Sequence, residues 1–429
     1  MLIPKINKSR YIQYFSVTAA MLTLGSGATH FAWTSPTLPD LMSDKSPIGV
    51  RITKEESSWI VSILHLGSVV GCLFSAWSIE HLGRKPSFVI ACVPLFISWI
   101  VIIFAKSATV LYVARFIAGL GIGICTTCGP VYNGEIAEKD IRGRISSFLV
   151  VLALFGSLYV YTAGPFLPYT YLAITSAILP LVALFLCLVI PESPYYLVKK
   201  NDIEGARRSL EILSANTASP EFIDCRLKEI QLTTEEDMQG NSSLWEFFSK
   251  KQYRKPILII AALVSGHMID RMGRKPLLLV SSFSCAVALF AEGTYFYLKE
   301  AKHANVEYLF WLPTTSLVIY KMMVTLGITT LPYIIMGELF TMNIKEIAAS
   351  SSSVYGFVLG FLMNYLHQPV SDHWGSYTIF WTYATSCLVG GIFIFILLPE
   401  TKGKTFAEIQ TILKSNNNNN NSDKKVQFT

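Results

Sequence analysis

Charged residues are scarce in this chain. Asp, Glu, Lys and Arg make up 15% of its 429 residues, whereas 52% are hydrophobic. A soluble domain carries about 25% charged residues, so the composition excludes an ordinary soluble protein. The charges occur in short runs, and the apolar stretches between them reach the roughly 20 residues that a helix needs to cross a bilayer. The sequence therefore predicts an all-α integral membrane protein.

Ten apolar stretches are long enough to span a membrane. They lie at 11–33, 58–79, 87–105, 109–130, 146–167, 171–190, 276–297, 309–336, 347–366 and 377–398. The segment 256–269 is also apolar, but a helix of that length covers only about 21 Å. A hydrocarbon core is about 30 Å thick. We therefore predict about ten full spans and one short stub that is re-entrant or lies at the membrane surface.

Basic residues predict the orientation of the chain. With the N-terminus inside, 27 of the 35 Lys and Arg residues fall in inner loops, and cytoplasmic loops are known to carry this excess. An eleventh span at 256–269 would place Arg271, Arg274 and Lys275 outside and reverse the bias. We therefore expect both termini in the cytoplasm. The net charge of +6 then requires no nucleic acid partner.

Three landmarks recur in the same order in the two halves of the chain. The motif at 80–86 (EHLGRKP) is echoed at 270–276 (DRMGRKP), and Gly134-Glu135 is echoed by Gly337-Glu338. Pro191-Glu192 likewise returns as Pro399-Glu400. Two parallel repeats are a transporter architecture in which the substrate binds between the halves. We predict a six-helix bundle at 1–190, a linker with short helices at 191–255, a shortened bundle at 256–398 and a disordered tail at 399–429.

The repeated charged residues predict a conformational latch on the inner face. Cations and carboxylates at neighbouring helix ends would hold the halves together when the cavity opens outward and separate when it opens inward. Alternatively, the basic loops only determine the orientation of the chain in the membrane. Exposed ion pairs contribute about 0–1 kcal/mol each to stability, which is too little for a latch. The residues assigned to the latch are Glu80, Arg84, Lys85, Arg115, Glu135, Arg142, Glu192, Asp270, Arg274, Lys275, Glu338 and Glu400.

Several motifs together resemble one family over nearly the whole chain. RFIAGLGIG at 115–123, PVYNGEIA at 130–137, PESP at 191–194 and PETKG at 399–403 resemble the signatures of the sugar porters of the major facilitator superfamily. The sequence at 33–39 (WTSPTLP) is similar to the facilitated trehalose transporter subgroup. The resemblance implies two pseudo-repeated helical bundles. It also implies facilitated diffusion of trehalose or a hexose such as glucose, by alternating access across the plasma membrane.

The chain departs from this family between Lys255 and Asp270. By comparison with the other repeat, about 45–55 residues are missing there, including the helix that hydrogen-bonds sugar hydroxyls in the family. The remaining candidates for sugar contact are Thr34, Tyr132, Tyr161, Pro332, Tyr333 and Asn364. Each tyrosine has a packing alternative, since tyrosines in spans often pack or mark interfaces. A transport-incompetent member of the family is therefore a second interpretation.

Two further functions are alternatives to facilitated transport. A proton-coupled symporter needs a titratable acid in an early span, and the first span contains none, so His30 is the only candidate there. An enzyme is disfavoured because the sequence shows no metal-ligand spacing, phosphate loop or nucleophile motif. We expect no catalytic residue, metal or cofactor, and interpret Gly119–Gly123 as a helix-packing run. The expected partners are a sugar and the lipid bilayer, and the oligomeric state is left open.

Overall fold

The computed structural model describes residues 8–137, 155–214, 219–238, 274–302, 309, 311–324 and 342–397. Within these ranges the regular structure is entirely helical. The helices are α1 (Lys8–Leu41), α2 (Lys54–His81), α3 (Arg84–Ile103), α4 (Ala108–Ile136), α5 (155–163), α6 (Tyr169–Val189), α7 (Pro194–Lys199), α8 (Ile203–Leu213), α9 (Pro220–Met238), α10 (Arg274–Phe296), α11 (Trp311–Met323), α12 (Met342–Trp374) and α13 (Ser376–Leu397). A π-helical turn, Tyr297–Ala301, extends α10.

The chain divides into two compact units. The first contains Met1–Asn241 and Met342–Gln368, and the second contains Ser242–Thr341 and Pro369–Thr429. The first unit therefore holds α1 to α9 and most of α12, while the second holds α10, α11, α13 and the end of α12. The bundle limits expected from the sequence stay a prediction.

Helix occurs within each of the ten predicted spans. Among the described residues, six helices are long and apolar enough to cross a membrane, namely α2, α3, α4, α6, α10 with its extension, and α13. The all-helical membrane class is therefore confirmed, whereas the predicted number of ten spans is a finer statement than these helices establish. The predicted stub at 256–269 lies outside the described ranges.

Polar caps lengthen several helices beyond their apolar stretches. At the start of α2, the Glu56 N–H donates to Thr53 Oγ1 at 3.2 Å, and the Thr53 N–H donates to the Glu56 carboxylate at 2.9 Å. This reciprocal capping box satisfies two amide groups that the helix itself leaves unpaired. At the start of α4, the Val110 N–H donates to Ser107 Oγ at 3.4 Å. The helix α2 begins four residues before its predicted span, and α4 begins one residue before its own.

Small residues hold α2 and α4 in close contact. A Cβ atom on Gly67 or Gly71 of α2 would overlap a backbone carbonyl of α4, and one on Gly119 or Gly123 would overlap a carbonyl of α2. Small residues four positions apart allow two membrane helices to approach at backbone distance. The interpretation of Gly119–Gly123 as a packing run is therefore confirmed.

The first unit has two ends, which differ in chemistry. At one end, here called the basic end, the α2–α3 turn meets the end of α4 and the segment 191–196. At the opposite end, a buried apolar cluster contains Trp33, Trp99, Leu111 and Tyr169. Arg84, Glu135 and Glu192 of the predicted latch lie at the basic end.

Candidate functional site

Arg84 and Glu135 form a buried ion pair at the basic end. Arg84 Nε donates to Glu135 Oε2 at 2.9 Å, and Arg84 Nη2 donates to Glu135 Oε1 at 2.7 Å. The two side chains are only 4% and 1% exposed. Arg84 Nη1 also donates to the Ile79 carbonyl at 3.1 Å. The planar guanidinium matches the carboxylate in two parallel hydrogen bonds, so the pair joins the first residue of α3 to the last turn of α4.

Glu192 covers the N-terminus of α3. Its carboxylate accepts the backbone N–H groups of Arg84 and Lys85, each at 3.1 Å, and that of Ser193 at 2.7 Å. A helix N-terminus with free N–H groups favours an anion. Gly83 precedes it with a φ of 106°, and a Cβ there would overlap the Glu192 carboxylate. Burial raises the pKa of the Glu192 carboxyl, although the amide donors and Arg84 oppose the shift.

Two tyrosines complete the charged cluster. The Tyr196 hydroxyl donates to the His81 carbonyl at 2.8 Å, and its ring lies 5.2 Å from the Arg84 guanidinium carbon. The Tyr132 hydroxyl donates to the Pro191 carbonyl at 2.8 Å. These contacts link the α2–α3 turn, the end of α4 and the segment after α6. The basic end is thus one connected network of hydrogen bonds within the first unit.

The structure brings together part of the predicted latch. Arg84, Glu135 and Glu192 meet directly, and Lys85 contributes its backbone N–H. Glu80 forms a half-exposed ion pair with Lys199 at 3.5 Å on the rim of the network. All of these contacts join helix ends of the first unit, whereas the sequence predicted pairs between the two halves.

The remaining latch residues are elsewhere or outside the described ranges. Lys275 lies in the second unit with its Nζ 5.2 Å from the centre of the Phe395 ring. Arg274 begins α10, and its side chain is not among the described ones. The predicted latch residues that fall wholly outside the described ranges are Arg142, Asp270, Glu338 and Glu400.

Arg115 does not belong to the charged cluster. It is twenty positions before Glu135 on α4, which corresponds to about 30 Å along the helix. Its Nε donates to the Ile60 carbonyl at 3.1 Å, and its Nη1 donates to the His30 carbonyl at 2.6 Å. The guanidinium also lies 5.6 Å from the Trp33 ring. Arg115 therefore ties α1 and α2 to α4, away from the other described latch residues, and its assignment to the latch stays a prediction.

The described residues predicted to contact sugar do not gather in one site. Tyr132 is buried in the network at the basic end, whereas Thr34 follows Trp33, which packs at the opposite end. Tyr161 is 53% exposed, and Asn364 donates to the Gly360 carbonyl at 2.7 Å. Pro332 and Tyr333 lie outside the described ranges. The structure thus separates residues that the sequence grouped by type alone.

An aromatic face that the sequence did not predict lies between α1, α2 and α12. The His65 ring lies 5.5 Å from Phe31 and 6.2 Å from Phe357, and it packs against Gly360. One turn further along α12, Tyr365 lies 5.1 Å from Trp59. We call these residues the aromatic face. Its members come from three helices, so no local sequence pattern could have grouped them.

Glu292 is a second residue that the sequence interpretation missed. It is the only charged residue in the apolar stretch 276–297, and that isolation is the signal that could have identified it. Its side chain is 1% exposed, and its Oε2 accepts no hydrogen bond from any described residue. Within the described part of the chain, no group of three His, Cys, Asp or Glu side chains could hold a metal ion.

Comparisons with known proteins point to one family. The sequence model described as "Sugar (and other) transporter" matches residues 14–268 and 260–413. The facilitated trehalose transporter Tret1 of Apis mellifera ligustica is 28% identical over 441 aligned positions, covering 92% of this chain and 86% of the relative. A Tret1-2 homolog from Drosophila simulans is 29% identical, covering 95% of this chain and 92% of the relative.

Solved structures share the fold. The proton:xylose symporter XylE of the major facilitator superfamily, bound to 6-bromo-6-deoxy-D-glucose, superimposes with a TM-score of 0.78 at 18% identity. The match covers 94% of this chain and 100% of that chain. The all-α major facilitator fold expected from the sequence is thereby confirmed.

Proposed function

The chain belongs to the sugar (and other) transporter family, and from this premise we propose that it carries a sugar across a membrane by alternating access. The observation that carries the proposal is the family match, which extends through both halves from residue 14 to residue 413. The insect relatives are named as facilitated trehalose transporters, so trehalose is the first proposed substrate and a hexose such as glucose is the second.

Uptake into liposomes tests this proposal. The purified chain should mediate saturable uptake of labelled trehalose or D-glucose that an excess of the same unlabelled sugar competes away. Labelled L-glucose serves as the control, because simple leakage does not distinguish the two enantiomers. Equal uptake of D- and L-glucose, together with no trehalose uptake above empty liposomes, would contradict the proposal.

We also propose ten spans, with both termini in the cytoplasm and the protein in the plasma membrane. The excess of Lys and Arg in the expected inner loops supports this topology. The sequons at Asn7, Asn241 and Asn420 should then remain unglycosylated in a secretory cell. A sequon engineered into the exposed loop at 44–49 provides the positive control. A glycan on Asn420 would indicate an odd number of spans.

The alternative, that the chain does not transport, is based on a shortened second half. The two family matches overlap at 260–268, so the same residues align with two parts of the family sequence. The honeybee alignment has 441 positions but uses 92% of the 429 residues, which is about 395, so about 46 positions are gaps in this chain. This agrees with the proposed loss of most of two helices. It favours a transport-incompetent member of the family as the second candidate.

The charged network at the basic end is proposed to act as a latch. Alternating access requires helix ends to change neighbours, and a buried bidentate pair gives two discrete arrangements, joined and separated. Arg84, Glu135 and Glu192 are the proposed core of this latch, with Glu80 and Lys85 at its rim. The repeat predicts that Asp270, Arg274, Lys275, Glu338 and Glu400 form its counterpart, and Arg142 belongs to the first set.

Sugar contacts are proposed at the aromatic face together with the residues expected from the sequence. Aromatic faces beside a few polar groups suit sugars, because the rings cover C–H surfaces while polar atoms bind hydroxyls. His65, Phe31 and Phe357 add such a surface next to Asn364. The other proposed contacts remain Thr34, Tyr161, Pro332 and Tyr333.

A pair of histidine variants tests the aromatic face. His65→Ala should raise the half-saturation concentration for sugar, whereas His373→Ala, at an exposed position, should leave it unchanged. Equal kinetics in the two variants would contradict a role for His65 in sugar binding.

A further inference from the structure

Glu292 lies inside the apolar part of α10. This helix and its extension form a candidate membrane span from Leu278 to Ala301, and the charged residues Lys299 and Glu300 lie in its last turn. Glu292 is about 21 Å from Leu278 and about 13 Å from Ala301 along the helix axis. A carboxyl group at this position is surrounded by hydrocarbon or protein rather than by water. Intramembrane acids are rare and usually mark ion or proton pathways.

Packing of α10 shows which neighbour Glu292 faces. Ser281 Oγ donates to the Met323 carbonyl at 2.7 Å, and Cys285 Sγ donates to the Tyr320 carbonyl at 3.9 Å. Positions 281 and 285 of α10 therefore face α11, and position 292, two turns beyond 285, lies on the same stripe. The two contacts also define an antiparallel register that places Glu292 level with the first turn of α11.

Aromatic residues pack between α10 and α13, on a different side of α10 from α11. Phe290 stacks on Trp381 of α13 with ring centres 6.0 Å apart, and Phe296 stacks on Phe380 at 5.3 Å. A Cβ on Gly293 would overlap the Trp381 ring. With 1% of its surface exposed, the Glu292 side chain is enclosed within the second unit.

The described side chains provide Glu292 with no counter-charge. The ionisable residues with described side chains on the helices packed against α10 are Tyr320 on α11 and Tyr377, Tyr383 and Cys387 on α13. On α10 and its extension they are Lys275, Cys285, Glu292 itself, Tyr295, Tyr297, Lys299 and Glu300. Lys299 is two turns further out, about 10 Å along the axis. By the register above, Lys321 of α11 is level with residues 283–284, and its side chain is not among the described ones.

Among the described residues, no donor reaches Glu292 Oε2 and no cation lies beside it; an enclosed carboxylate in such surroundings is unfavourable when ionised, and a single proton removes the charge. We propose that Glu292 binds a proton and couples it to sugar transport, with one proton moving inward with each sugar molecule. The proton joins a Glu292 carboxylate oxygen from the outer solution when the cavity opens outward. It leaves to the inner solution when the cavity opens inward. The coupling rests on the proposed transport function, whereas proton binding does not.

Proton binding can be measured without transport. Infrared difference spectra of the purified protein, recorded between acidic and alkaline buffer, should contain a protonated carboxyl band that persists at neutral pH. Glu292→Gln should remove this band, and Glu55→Gln, which changes an exposed acid at the start of α2, should leave it. A spectrum unchanged by Glu292→Gln would overturn proton binding at this residue.

Coupling is measured by sugar accumulation in liposomes under a pH difference. With the outside one pH unit more acidic, the wild-type chain should concentrate sugar inside up to about tenfold, since one pH unit corresponds to a factor of ten. A protonophore should abolish this accumulation. Glu292→Gln, a mimic of the protonated state, should still equilibrate sugar but should not concentrate it, and Glu55→Gln should behave like wild type.

The outcomes separate the two proposals. Uptake that equilibrates but never accumulates in the wild-type chain would overturn the coupling and leave sugar transport intact. No uptake by any variant would contradict the proposed transport and the coupling with it, while the infrared band would still decide whether Glu292 binds a proton.

Discussion

Arg84 and Glu135 face each other across the boundary between α3 and α4, with two hydrogen bonds of 2.9 and 2.7 Å and almost no exposure to solvent. The pair belongs to the first unit alone. A buried ion pair is weak evidence of net stabilisation, because desolvation of both groups opposes their attraction. Removal of one partner, however, leaves the other charge buried and alone.

Single and double substitutions of this pair should therefore differ. Arg84→Ala should lower the free energy of unfolding by about 3–5 kcal/mol, whereas the apolar double variant Arg84→Met with Glu135→Leu should lose less. Thermal unfolding in detergent measures the difference. Arg51→Ala, which breaks an exposed pair with Asp44, is the control and should change stability by less than about 1 kcal/mol. Equal losses in the first two variants would contradict a coupled pair.

Glu192 should make a small part of the stability depend on pH. Because burial raises its pKa in the folded protein, the folded state binds more protons at this carboxyl than the unfolded state does. The contribution of Glu192 is therefore greatest below the ordinary glutamate pKa and declines as pH rises through the raised value. Glu192→Gln should flatten the fall in melting temperature that begins as pH rises above the ordinary glutamate pKa. If the melting temperature of Glu192→Gln falls with pH as steeply as that of the wild type, or more steeply, the prediction is contradicted.

Close contact between α2 and α4 should be sensitive to a single methyl group. Gly71→Ala should destabilise the protein, because the added Cβ would overlap the Leu120 carbonyl. Gly390→Ala on α13 is the matched control, since no atom lies within 4 Å of its Cβ position. There the better helix propensity of Ala should leave stability unchanged or raise it by up to about 1 kcal/mol. Similar melting temperatures for the two variants would exclude the tight α2–α4 contact.

Arg115 should tolerate Lys poorly. Its guanidinium reaches the carbonyls of His30 and Ile60 at the same time, and a lysine presents a single ammonium group without this fork. Arg115→Lys should lower both the melting temperature and the rate of sugar uptake. Arg208→Lys, at an exposed pair with Glu204 on α8, should change neither. If Arg115→Lys has the melting temperature and uptake rate of the wild type, the forked contact of Arg115 with α1 and α2 is not needed for stability or transport.

The sequence predicted the helices well because apolar length and charge placement are local properties. The stretch 87–105, for example, became α3 at Arg84–Ile103. The pairing of Arg84 with Glu135 depends on which helix ends meet in space. The repeated motif identified Arg84, Glu135 and Glu192, which the structure brings together, but it suggested pairs between the two halves, whereas the described pairs lie within one unit.

Less of the proposed sugar site could be predicted from the sequence, for a related reason. Tyr132 matched the expected residue type, yet its hydroxyl is satisfied by the Pro191 carbonyl, and only three-dimensional packing decides this. His65, Phe31 and Phe357 meet from three helices and share no sequence pattern. Glu292, by contrast, is visible in the sequence as a lone acid in an apolar stretch.

Uptake by the chain itself, measured beside a form in which two complete helices replace 256–269, decides whether this chain transports sugar. Both proteins would be reconstituted at equal density and given labelled trehalose and D-glucose. We expect the unaltered chain to show saturable uptake that an excess of the unlabelled sugar competes away. Uptake by the extended form alone would contradict this prediction and would identify the chain as a transport-incompetent member of its family.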